Sequence, residues 1–217
     1  MFHLIKKDIL IQKKSFVMAL LLMIFFAFTL SNIGPTGITV GIIAIAYQLG
    51  LGASALEDKN NSDIILISLP IKKKTIVLSK YLSIFVYLLY AVLGFSCLYL
   101  GVNLFAIPYE IPLTKAGVVS AIASGIIFFS ISYPLIFRFG YLKSKMPNLI
   151  LFFVLILGGT AAATNLFYDE QSVFGQKLVQ LLEGSEGGFT VLLIVVLAII
   201  WTISYLISLR FYTNREF

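Results

Sequence analysis

Apolar residues run along this chain in long stretches free of charge, separated by short stretches where lysine, arginine, aspartate and glutamate cluster. The charge-free stretches are 15–56, 81–109, 116–137, 146–168 and 187–209. A helix rises about 1.5 Å per residue, so crossing a hydrocarbon layer of about 30 Å takes roughly 20 apolar residues. Each of the last four stretches is therefore long enough for one span. The first is long enough for two, and it is broken by Ser31-Asn32-Ile33-Gly34-Pro35-Thr36-Gly37, a cluster that ends one helix and starts another. The pattern predicts an all-α polytopic membrane protein, a single transmembrane domain over 1–217, with spans at 16–30, 38–56, 81–104, 116–137, 148–167 and 189–209.

Three segments outside the spans carry their own patterns. In 1–15, Phe2, Ile5 and Ile9 share an arc with Phe16 while Lys7 and Lys14 lie opposite, and Leu4 and Ile11 fall off the stripe. This reads as an interfacial helix leading into the first span. Segment 57–80 reads as two short helices meeting at Pro70, with Asn61 or Ser62 as N-cap and Asp63 in the first turn. Its residues Ile64, Ile65, Leu66, Ile67 and Leu69 would bury against the spans and leave a charged edge for a protein partner. A basic loop lying on anionic lipid through Lys72-Lys73-Lys74 is the simpler alternative. In 168–188, Phe174, Leu178, Leu181 and Leu182 at helical spacing, followed by Gly184, Gly187 and Gly188, predict a short helix at the outer surface.

Composition narrows the function. The chain is 59% hydrophobic and 12% charged, against roughly 45–50% and 25% in soluble domains, so too little polar chain remains for an ordinary catalytic domain. The net charge of +6 has no folded soluble surface on which to meet nucleic acid; it orients the protein instead. Of the sixteen basic residues only Lys115 and Lys177 fall on one side of the six-span arrangement, which places both termini in the cytoplasm. The predicted spans hold no ionisable side chain. That argues against a proton-coupled carrier, an intramembrane metalloprotease or a charge-lined channel.

Candidate chemistry is sparse. The sole histidine, His3, has no second ligand near it, and no G-x-x-x-x-G-K-[ST] run offers a phosphate cradle. No catalytic, cofactor or metal site is expected. Cys97, within an apolar run, reads as a small buried hydrophobe, and Tyr81, Tyr109, Tyr168 and Tyr212, near span ends, as interfacial anchors. Small residues recur at helical spacing, Gly37 with Gly41 and Gly117 with Ala121 and Gly125, as they do where transmembrane helices pack closely.

Four features together carry a resemblance. They are the N-terminal Leu4-Ile5-Lys6-Lys7-Asp8 helix, six spans with both ends inside, a second span running into Glu57-Asp58-Lys59-Asn60, and Ser68-Leu69-Pro70-Ile71-Lys72-Lys73 followed by Ile76-Val77-Leu78-Ser79-Lys80-Tyr81. The chain resembles the small six-span permease subunits of type-2 ABC exporters, a group that includes the phenol-soluble modulin exporter permeases and bacteriocin-immunity exporter permeases. The resemblance extends over nearly the whole chain, with its motif confined to 57–81. It implies a permease of the bacterial plasma membrane that moves hydrophobic or amphipathic molecules, peptides among them, outward. It also implies a second copy or a sister permease in the membrane and cytoplasmic P-loop ATPase subunits that bind ATP and Mg, with no cofactor in this chain. The family's coupling helix maps onto roughly 59–69, and the ATPase contacts onto Asp58, Lys59, Asn60, Asp63, Leu66, Leu69, Lys72 and Lys73. The contrasting reading is a non-transporting immunity or sensor protein that binds a partner within the bilayer.

Overall fold

The long apolar runs become long helices. A computed structural model of the chain describes residues 2–60, 71–105, 108–168 and 186–214. Its elements are α1 (Phe2–Ile11), α2 (Lys13–Leu30), a 3-10 turn (Ser31–Ile33), α3 (Pro35–Lys59), α4 (Lys73–Leu104), α5 (Lys115–Phe139), α6 (Tyr141–Tyr168) and α7 (Glu186–Asn214). No strand occurs among the described residues. Six of the helices, α2 to α7, are long and apolar enough to cross a membrane, and helices alone satisfy every backbone group of a lone segment in lipid. Most of segment 57–80 that lies between α3 and α4, and most of 168–188, fall outside the described residues.

Most of the helices start before their charge-free stretch, and α5 and α7 also run past its end. α4 starts at Lys73, after Lys72 in extended conformation, rather than at Pro70 or Tyr81. Intrahelical hydrogen bonding does not stop at a charged side chain, so charge marks the membrane boundary better than it marks the helix end. The break between the first two spans follows the sequence closely. Gly34 takes φ 79, a left-handed conformation that favours a residue without Cβ, and Pro35 opens α3 at a position where its missing N–H costs nothing. Thr114 caps α5 by accepting from the Gly117 amide at 3.1 Å.

Two apolar cores form, and α3 and α4 contribute to both. One packs Ala19, Met23 and Ala27 of α2 against Ile38, Ile42 and Leu49 of α3 and Tyr87, Ala91 and Phe95 of α4. The other joins Tyr81, Ile84 and Leu88 of α4 to Phe128, Phe129 and Tyr133 of α5 and Tyr212 of α7. Glycines admit large groups to the helix backbone: Gly41 faces the Phe95 ring, Gly50 that of Phe129, Gly94 the Met23 thioether and Gly125 the Leu88 side chain. Ala121 is fully buried, and Gly117 accepts from Thr39 through its carbonyl at 3.3 Å. Leu20, Leu21, Phe25 and Phe28 of α2, with Leu192, Val195 and Ile199 of α7, point outward, as lipid-facing side chains do.

Two expectations change. Cys97 lies exposed on the outside of α4, because its helix face is turned away from both cores. Tyr81 and Tyr212 are buried rather than interfacial; Tyr81 packs against Tyr133, Trp201 and Tyr205 at centroid distances of 5.3, 4.9 and 5.7 Å. On α1 the residues turned to the bundle are not those of the Phe2-Ile5-Ile9 arc. Phe2 is 81% exposed and Asp8 is buried, while Leu4, read as off the stripe, packs on the core.

A proline explains the hydroxyls around Tyr81. Pro134, inside α5, has no N–H, so the Ser130 carbonyl one turn earlier loses its usual donor. Ser204 of α7 donates to that carbonyl at 2.5 Å. Tyr81 Oη lies 2.6 Å from Ser204 Oγ and 2.7 Å from Ser208 Oγ. Each hydroxyl has one proton, so the chain of donation runs from Ser208 to Tyr81 to Ser204 to the Ser130 carbonyl. Replacing Ser204 with alanine should lower stability by about 1 kcal/mol. The loss should shrink in a Pro134→Ala background, where residue 134 regains its N–H; a double-mutant cycle on thermal unfolding in detergent measures the difference.

Candidate functional site

The end of the bundle that carries α1 and the last turn of α7 holds every ion pair among the described residues. α1 packs against α3 and α4. Leu4 and Asp8 stand one turn apart on it, and Gln12 follows at the break before α2, so the inward face is one leucine and two polar residues. Asp8 and Gln12 are 3% and 0% exposed. Gln12 Nε2 donates to Tyr87 Oη of α4 at 3.1 Å.

Asp8 meets three other charged groups. Lys80 Nζ of α4 lies 3.4 Å from Asp8 Oδ2 and pairs directly with Glu57 Oε2 of α3. Lys7 Nζ lies 2.6 Å from Glu57 Oε1 and 3.4 Å from Asp8 Oδ1. Each carboxylate therefore sees both ammonium groups, and Ser83 Oγ adds a hydrogen bond to Asp8 Oδ2 at 3.2 Å. Buried charges are tolerated only when paired and hydrogen-bonded. Two cations and two anions on three helices meet that condition with no net charge. Burial pushes the Asp8 carboxyl above its ordinary value; Lys80 pulls it back, Glu57 adds to the rise, and Lys7 lowers it.

A cleft of about 40 Å³ opens beside this tetrad, lined by Ser54, Glu57, Asp58, Ile76, Lys80, Tyr133, Ile136, Phe137, Gly140, Tyr141 and Tyr212. Five helices supply its walls. Gly140 at φ 80 turns α5 into α6 within one residue, which is how Tyr141 reaches the same cleft as Phe137.

Of the residues predicted to contact an ATPase, Asp58 is half-buried in the cleft wall, whereas Lys59 and Asn60 stand exposed at the end of α3. Lys72 is exposed, and Lys73 donates to the Thr213 carbonyl at the end of α7 at 3.2 Å. Asp63, Leu66 and Leu69 fall outside the described residues. Sequence reasoning did not single out Lys7, Asp8, Gln12, Glu57 and Lys80 as a group. A signal was there: Glu57 is the first charge after the second span and Lys80 the last before the third, of opposite sign and on the same side. Among the described residues no group of three or more His, Cys, Asp or Glu side chains could hold a metal ion.

A helical bundle with six helices long and apolar enough to cross a membrane, and a short helix locked to one end by buried charges, marks a polytopic membrane protein. The family model of the ABC-2 family transporter protein matches residues 3–213, and the chain belongs to that family. It is the membrane subunit of an ABC transporter, of the kind that generally works with an ATPase partner and typically has no ATPase site of its own. No individual curated protein matches the chain, and no solved structure does.

Proposed function

We propose that this chain is the permease of an ATP-driven exporter of hydrophobic or amphipathic molecules, peptides among them, in the plasma membrane of a bacterium. In this reading it works as the phenol-soluble modulin and bacteriocin-immunity exporter permeases do. It pairs with a second copy or a sister permease, and the end bearing the tetrad faces the cytoplasm, where two ATPase subunits bind ATP and Mg. The observation that carries the reading is the tetrad itself. It ties α1 to the end of α3 and the start of α4, the two helices that flank the segment expected to meet the ATPase. A push on 59–69 would thus move three helices together rather than bend a loop. Absence of ionisable groups deeper in the spans suits a cargo held by apolar contact.

Reversing charge along 59–72 tests this while leaving Asp58 in place. A Lys59→Glu, Asp63→Lys, Lys72→Glu chain should insert and copurify with its membrane partner, yet lose most of the substrate-stimulated ATP hydrolysis of the reconstituted complex. Undiminished stimulation would sink the coupling assignment. Recovery of the tagged wild-type chain without any P-loop ATPase would favour the immunity or sensor reading instead.

A further inference from the structure

The tetrad is electrically closed, but the cleft beside it is not. Lys80 is committed to Glu57 and Asp8, and Lys7 to the same two carboxylates. Asp58, the next residue along α3, lines the cleft with no basic side chain within ion-pair distance among the described residues. Two basic groups of neighbouring helices have other contacts: Arg138 lies over the rings of Phe139 and Phe211, 5.0 and 5.1 Å from their centroids, and Lys73 is bonded to the Thr213 carbonyl. Four aromatic side chains, Tyr133, Phe137, Tyr141 and Tyr212, line the same cleft, with Ser54, Ile76, Ile136 and Gly140 completing the wall. One surplus negative charge within an aromatic wall is the arrangement that binds organic cations, through ion pairing and the electron-rich ring faces.

We propose that the cleft between Asp58 and the rings of Tyr133, Phe137, Tyr141 and Tyr212 receives the primary ammonium or guanidinium head of an amphipathic molecule that the transporter moves. The proposal rests on the export reading above and narrows it to cationic amphiphiles. Size agrees. A water needs roughly 10–15 Å³ of such space, so a cleft of about 40 Å³ holds a small head group and excludes the tail. Lys80 does not turn the site toward anions, because its ammonium already faces two carboxylates.

The test is binding of n-octylamine to the full chain in phosphatidylcholine nanodiscs, with n-octanol as the neutral probe of equal tail length. Asp58→Asn should weaken octylamine binding about tenfold and leave octanol unchanged, whereas Lys59→Gln, one residue along and exposed, should change neither. A thermal melt of Asp58→Asn matching wild type shows that the bundle is intact. If that variant melts early, Tyr141→Cys in a Cys97→Ser chain gives the second readout: the new thiol should react faster with a cationic than with an anionic methanethiosulfonate. Equal binding of amine and alcohol, or equal reaction with the two reagents, overturns the proposal. Displacement of octylamine by added phosphatidylethanolamine overturns its transport part and gives the cleft to a membrane lipid. Neither measurement involves an ATPase, so binding that holds while ATP hydrolysis stays unstimulated refutes the export reading and not the site.

Discussion

Replacing Lys80 with methionine should destabilise the bundle by about 3–5 kcal/mol, the range measured when one partner of a buried ion pair is removed. The reason lies in what remains. Asp8 and Glu57, both nearly inaccessible to solvent, would be left to share the single ammonium of Lys7, whose side chain is 28% exposed. Methionine fills the volume of the lysine stem, so the loss reports charge rather than a cavity. Pairing the change with Glu57→Met removes one anion with one cation and leaves Lys7 with Asp8. Most of the stability should then return, as it does when buried ion pairs are exchanged for well-packed apolar groups. Asp8→Asn should cost less than Lys80→Met, because burial already raises the Asp8 carboxyl and so favours its neutral form in the folded chain. Thermal unfolding of the three purified variants and wild type in one detergent orders them; a Lys80→Met chain as stable as wild type would mean that the tetrad is hydrated and holds nothing.

Gly37→Ala should cost about 1–3 kcal/mol, the penalty of overpacking, although alanine is the better helix former. A Cβ at this position falls on the Leu30 carbonyl oxygen. The obstacle is backbone, held by the 3-10 turn and by the Gly37 amide's bond to the Gly34 carbonyl at 3.1 Å, so no rotamer change relieves it and the α2–α3 hairpin must open. Two glycines calibrate the effect. Gly125→Ala meets the end of the Leu88 side chain, which can turn, and should cost less. Gly101→Ala meets nothing within 4 Å and should be neutral or slightly stabilising. Equal melting temperatures for the Gly37 and Gly101 variants would contradict the packing described.

The same contrast between main chain and side chain separates what was legible in the sequence from what was not. Six spans follow from runs without charge, since hydrocarbon excludes charge whatever the packing. The break at Ser31–Gly37 was equally plain, because Gly34 and Pro35 act on their own backbone. Burial within the bundle was harder to read. In a chain this apolar nearly every face looks inward, so periodicity could not show that Cys97 faces out and Tyr212 faces in. On α1 the arc of Phe2, Ile5 and Ile9 pointed to a membrane surface, and no pattern showed that Leu4 and Asp8 dock on the bundle. Charge was read there as solvent-facing, and the tetrad reverses that because Lys80 and Glu57, far apart in sequence, wait at the same depth. The cleft was invisible for a related reason: its walls come from five helices, and no local pattern links Asp58 to Tyr141 or Tyr212.

The two polar networks also differ in when they can close as the chain emerges from the ribosome. Every member of the tetrad lies within the first 80 residues, and the core shared by α2, α3 and α4 is complete soon after. The Ser130 carbonyl, by contrast, waits for Ser204, so α5 enters the bilayer with an unmet acceptor until the last helix arrives. Domains and subdomains tend to fold from the N-terminus during synthesis. The first half of this bundle is thus built to stand as a template, and the final helix to seal it.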